Sequence, residues 1–187
     1  HRHCDCDSLT IEAGSNALVL VPSMTETVDI CHPLMTYADP ERTNVLSIQH
    51  RGTAERWFRE WSETVSGPVA NVLYIRLDDT AKGTERVFDD PAIAHGEVRT
   101  ATVRPGDLTG LGMKLTDSIA SWTHEGYQTA VCFDSLTALL QYVDIQTVFR
   151  FLHMLSHRIC AEGGTGRGGR NRRRGRRERR AATPDGP

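Results

Sequence analysis

Four short apolar runs constrain the fold more than any other feature of this chain: Ala17-Leu18-Val19-Leu20-Val21, Asn44-Val45-Leu46-Ser47-Ile48, Val69 to Leu77, and Thr129 to Phe133. Each has strand length and a nearly continuous apolar character, the pattern of strands covered on both faces by helices. Helical stripes lie between them. Ala54, Trp57, Phe58, Trp61 and Val65 fall on one face of a helix over Thr53 to Thr64, with Glu55–Arg59, Arg56–Glu60 and Arg59–Glu63 spaced for ion pairs opposite. A second stripe, Leu108, Leu111, Leu115, Ile119 and Trp122, follows Asp107 as N-cap; a third is Val148, Phe151, Leu152, Leu155 and Ile159. Ser23-Met24-Thr25-Glu26 reads as a capping box before Val28, Cys31, Leu34 and Met35, in a helix that Pro33 shortens or kinks. Val98 to Val103 alternates, as a strand with one wetter face does, whereas Asp78 to Glu97 is acidic, carries Gly83, Pro91 and Gly96, and reads as a surface excursion.

The alternation predicts one α/β domain over 16–160 with a doubly wound, mostly parallel sheet, and Ala17–Val21 as a central strand. Residues 1–15 read as a flexible lead-in. From Gly163 onward Gly, Arg and Pro dominate, and no apolar residue larger than Ala follows Cys160, so 161–187 is expected to be disordered. The net charge of −2 conceals this division, because 161–187 carries nine arginines and three acids, leaving 13 basic and 21 acidic residues in 1–160. Two readings of the tail stay open. Clustered Arg170, Arg172, Arg173, Arg174, Arg176 and Arg177 would neutralise nucleic-acid phosphates in a salt-dependent way. A GC-rich gene read out of frame also gives Arg, Gly, Pro and Ala, and the composition changes where an α/β sheet still needs strands, so the domain is expected to be incomplete there.

No apolar run reaches membrane-spanning length, and His1-Arg2-His3-Cys4-Asp5-Cys6 lacks the layout of a secretory signal, so a cytoplasmic location is expected. The five cysteines have no paired spacing and read as reduced thiols. Candidate metal ligands are sparse. The cluster at Cys4 and Cys6 has no second ligand pair at zinc spacing, and His153 and His157 lack the acid of the H-E-x-x-H pattern. Gly110-x-Gly112 lies past a helix cap and is a weak phosphate-loop signal.

Asp134 ends the last apolar run and is followed by Ser135-Leu136-Thr137. In open α/β sheets ligands sit at the carboxyl ends of parallel strands, where such an Asp would serve a nucleotide's magnesium; as a cap for the helix beginning near Leu136 it would serve folding alone. The order of these landmarks resembles the RecA/KaiC-like ATPase superfamily, and the run from Val131 to Ile159 looks like uncharacterised haloarchaeal relatives of it that lack the phosphate loop. The resemblance implies nucleotide-site positions at Asp134, Ser135, Gln49, His50, Ser23 and Thr25. Most have lost the chemistry. The turn after the first run has neither Gly nor Lys, Glu26 and Asp29 would repel phosphate there, and Gln49-His50 stands where the family's catalytic glutamate belongs.

The expectation is therefore a non-catalytic, pseudo-ATPase domain with no catalytic residue, no metal and no cofactor, regulatory or signalling through a protein partner or a second copy. Two alternatives accompany it: a weak nucleotide-binding ATPase using ATP and magnesium, and a nucleic-acid-associated protein using the arginine tail.

Overall fold

A computed structural model describes residues 15–22, 28–36, 39–122, 124 and 126–164. Five strands form one sheet: β1 (Thr43–Gln49), β2 (Asn71–Leu77), β3 (Glu85–Phe88), β4 (Val98–Val103) and β5 (Gln128–Asp134), in the spatial order β3-β4-β2-β1-β5. β1 pairs in parallel with both β2 and β5, β4 adds in parallel to β2, and β3 closes one edge antiparallel to β4. The helices are α1 (Val28–Met35), α2 (Ala54–Thr64), α3 (Leu108–Ser121), the single-turn α4 (Leu136–Leu139) and α5 (Ile145–Gly164). This is the mostly parallel α/β architecture that the alternation predicts.

The sheet is covered on both faces, as the continuous apolar runs require. Leu46, Ile48, Leu73, Ile75 and Leu77 turn toward Leu111, Leu115 and Ile119 of α3 and Val148, Phe151 and Leu155 of α5. Val45, Val72, Tyr74 and Val98 turn the other way, toward Met35 of α1 and Trp57 and Trp61 of α2. All three tryptophans are buried. On α2 the indoles of Trp57 and Trp61 stack at 4.9 Å, and His32 of α1 meets them edge-on while its Nδ1 lies 2.7 Å from the Thr64 hydroxyl. Aromatic edge and stacking contacts of this kind add to area burial, so ring packing and the His32–Thr64 contact hold α1 to α2 despite Pro33 within it.

Two expectations are corrected. Ala17–Val21 is not a strand among the described residues: 15–22 carry no regular structure, with Leu18 73% and Leu20 86% exposed. The central place belongs to β1, which pairs along both edges. An apolar run can show that a segment could be a buried strand, but the long-range pairing decides which run lies where. The excursion over 78–97 is also more structured than expected. It contains β3, and beyond it Ile93 and Ala94 are buried, with Val69 bridging to Ala94. β3 is exposed at all four positions and only four residues long; Phe88 reaches Phe58 of α2 edge-on and Glu85 pairs with Lys114, contacts that a hydropathy pattern over so short a strand does not announce.

At the amino end of the sheet, polar side chains form a connected network. The Asn71 amide donates to Asn44 Oδ1 at 2.8 Å, and Asn71 Oδ1 accepts from the Glu97 amide at 2.8 Å. Asn44 donates to the Trp122 carbonyl at 3.3 Å, while Trp122 Nε1 donates to Glu97, which also pairs with Arg99 at 2.8 Å. Gly96 belongs to this network through its missing side chain: a Cβ there would stand 2.2 Å from Asn71 Oδ1. Gly110 has a similar explanation. A Cβ would lie 2.3 Å from Asp107 Oδ2, and Asp107 Oδ1 accepts from the Gly110 amide at 2.8 Å, so this glycine serves the α3 cap rather than a phosphate loop.

Candidate functional site

From β1 the chain steps to β2 and then β4 on one side, and later returns through α3 to place β5 on the other side of β1. The direction of winding reverses between β1 and β5, and their carboxyl ends open the crevice where sheets of this kind receive ligands. Register brings the expected residues together there. Gln49 stands opposite Asp134, and the His50 amide donates to the Asp134 carbonyl at 2.8 Å. Asp134 and Ser135, joined by a cis peptide, are both half-buried.

The roles differ from those expected. Ser135, not Asp134, caps α4: the Ala138 amide donates to the Ser135 hydroxyl at 3.2 Å. Asp134 is the last residue of β5, one position too early for its carboxylate to serve as N-cap. Gln49 donates its amide to the Ser47 hydroxyl at 3.0 Å. The His50 ring stands 5.9 Å from that of Tyr142, and its Nδ1 is buried without a hydrogen-bond partner. Tyr142 in turn donates to Asp79 at 2.8 Å, a bond that raises the Tyr142 phenol above its usual range.

The helix following β1 does not offer an open amino terminus. The Thr53 hydroxyl accepts from the Arg56 amide at 3.3 Å, and the Glu55 carboxylate turns back on its own amide and on Thr53, which hold it below the usual carboxylate range. With that negative charge in the first turn, the helix dipole is already answered from within the chain. Among the described residues no three His, Cys, Asp or Glu side chains converge to hold a metal ion. Ser23 and Thr25, and Arg170, Arg172, Arg173, Arg174, Arg176 and Arg177, lie outside the described residues.

A family model matches residues 14–167, which span the whole sheet and all five helices. The chain belongs to DUF7504. DUF7504 is a family of unknown function, and its match ends before the arginines at 170–177. No curated protein and no solved structure matches the chain.

A second opening at the carboxyl end had no sequence motif to announce it. Between the start of α2 and the outer strands lies a pocket of about 300 Å³, lined by Thr53, Glu55, Tyr74, Arg76, Arg86 and Thr100 among others. Its residues come from four elements and none is close to a motif. The one available signal was the polar interruption of the apolar run by Tyr74 and Arg76. The described residues include no helix long and apolar enough to cross a membrane. His153 and His157 are both exposed on α5. Cys31, Cys132 and Cys160 form no disulfide among the described residues, and Cys4 and Cys6 fall outside them. Cys132 is pushed up strongly, first by its hydrogen bond with Cys31 and then by burial, so it is held as an unreactive thiol.

Proposed function

We propose that this DUF7504 chain is a RecA/KaiC-like domain with a degenerate nucleotide crevice, which acts through protein contacts rather than phosphoryl transfer. The observation that carries this reading is the state of the crevice at the ends of β1 and β5. Gln49 is spent on Ser47, Ser135 on the α4 cap, and the α2 amino terminus on Thr53 and Glu55. Phosphoryl transfer needs several positioned groups that neutralise charge together, and Asp134 alone does not supply them.

The surface beside this crevice supports the second half of the reading. Ile145 and Phe149, one helical turn apart on α5, are 70% and 68% exposed, and Leu140 and Tyr142 add apolar surface just before them. β5, next to this helix, ends the order of strands, so its outer edge has no strand partner among the described residues. An apolar patch beside an open strand edge is what a protein partner or a second copy would cover.

Isothermal titration of the full chain with Mg-ATP tests the proposal. No saturable heat is expected. Micromolar binding that Asp134→Ala abolishes would overturn it and favour a working nucleotide site.

A further inference from the structure

The pocket between α2 and the outer strands is built by register. β2 and β4 set Tyr74 beside Thr100, and β4 and β3 set Thr100 beside Arg86, so these three form one row across the sheet. The next row toward the carboxyl end places Arg76 beside Thr102, whose hydroxyl lies 3.0 Å from that of Thr84. Alternation along β2 directs both rows to the face that carries Val72 and α2, where Thr53 and Glu55 complete the wall. A sheet face this polar would normally be left to water, yet here the first turn of a helix roofs it.

Its donors are unevenly used. Arg76 pairs with Asp78 at 3.0 Å, whereas Arg86 forms no salt bridge among the described residues. The Tyr74 hydroxyl is the strongest observation. Tyr74 is 1% exposed and lines the pocket, but its hydroxyl has no hydrogen-bond partner among the described residues. A buried hydroxyl left unpaired costs free energy that folding alone does not recover, and an acceptor supplied from outside would satisfy it. The Glu55 carboxylate already lies within the field of Arg86 and Arg76, at the position a bound anion would favour. An exposed side chain in that place can swing out when another oxyanion arrives.

We propose that this pocket binds a small molecule bearing one oxyanion, held by Arg86 and Arg76 with the Tyr74 hydroxyl donating to it and the threonines lining its polar body. The volume suits a metabolite of modest size rather than a macromolecule. The site uses different strands from the crevice at Asp134 and shares with it only the first turn of α2. The oxyanion is carried as a phosphate or as a carboxylate, and the chemistry that recognises it is shared.

Nitrogen–proton correlation spectra of the full chain, titrated with inorganic phosphate and separately with succinate, decide the matter. Saturable shifts are expected at Thr53–Glu55, Thr84–Arg86 and Thr100–Thr102 with at least one probe, and which probe binds more tightly identifies the source of the oxyanion. Arg86→Gln, on an exposed strand position, should weaken binding about tenfold, the loss expected for one charged hydrogen bond. Glu55→Gln should strengthen it by removing the competing carboxylate. An adventitious ion only would give shifts that ignore Arg86→Gln, and that result, or no saturable shift with either probe, overturns the proposal. Shifts confined to Gln49, His50 and Asp134 would overturn it too, and would count separately against a degenerate crevice.

Discussion

The two ends of the same sheet treat their polar side chains differently. At the amino end Asn44, Asn71, Glu97 and Trp122 are tied to one another through donors and acceptors, although Arg99 Nε beside them and Trp61 Nε1 on α2 are buried without a partner among the described residues. Toward the carboxyl end His50 Nδ1 and the Tyr74 hydroxyl are buried without a partner among the described residues. Both ends are polar, so polarity does not separate scaffold from site. What separates them is where the unsatisfied groups lie: at the amino end they flank a closed side-chain network, whereas toward the carboxyl end the Tyr74 hydroxyl belongs to a residue that lines an open pocket.

The largest effect that would sharpen this contrast is expected at the amino end. Asn71→Ala strands the Glu97 amide and Asn44 Oδ1 together and should cost about 2–4 kcal/mol in urea unfolding. A loss below about 1 kcal/mol would mean that the network is not the support described here. Next comes alkali. Burial pushes the Tyr74 phenol up from 10.0 to about 12, so the folded chain keeps this proton where the unfolded chain has lost it. Its share of stability is fully present below pH 10 and disappears between pH 10 and about 12, a loss on the order of 2–3 kcal/mol that Tyr74→Phe should remove from the pH profile.

At neutral pH the same Tyr74→Phe substitution deletes an unpaired hydroxyl and should change stability by less than about 1 kcal/mol, with gain favoured over loss. A large loss would show that the hydroxyl has a partner within the chain, and the contrast between the two ends would fail. Ser135→Ala should cost about 1 kcal/mol through the lost α4 cap, and Asp134→Asn less. The reverse order would return the capping role to Asp134. The smallest effect concerns acid. Thr80 holds the Asp78 carboxyl and Thr147 holds that of Asp144 below the usual aspartate range, so their stabilisation is present above that range and is lost as the pH falls through the depressed folded values. Asp144 is exposed and Asp78 half-buried beside a half-exposed Arg76, and Asp78→Asn should produce only a slight change in an acid-unfolding midpoint.

The architecture was legible where the signal is local. The stripe on α2, the Asp107 cap and the three tryptophans follow from spacing and side-chain chemistry within a few residues of each other. The placing of Ala17–Val21 at the sheet centre failed because β1 and that run have similar composition, and the choice between them depends on partners far along the chain. β3 went unseen for a related reason: four residues, Glu85 to Phe88, are too few to show a period, and their partners on β4, α2 and α3 are far along the chain. Gln49, His50, Asp134 and Ser135 could be grouped from the expected strand ends. Tyr74, Thr100 and Arg86 could not, since only register across three strands puts them in one row.

β1 meets β2 across 27 residues, Asn44 to Asn71, but meets β5 across 85, Thr43 to Gln128. Closing the longer loop costs more chain entropy before any contact repays it, which gives folding an order as well as a destination. The β1–β2 pair can form early and serve as the template to which β5 is added. Hydrogen-exchange labelling during refolding is expected to protect the β1–β2 amides first and the β1–β5 amides last. Asp134 would then reach Gln49 in the final step of assembly, and the crevice would exist only in molecules that have finished folding.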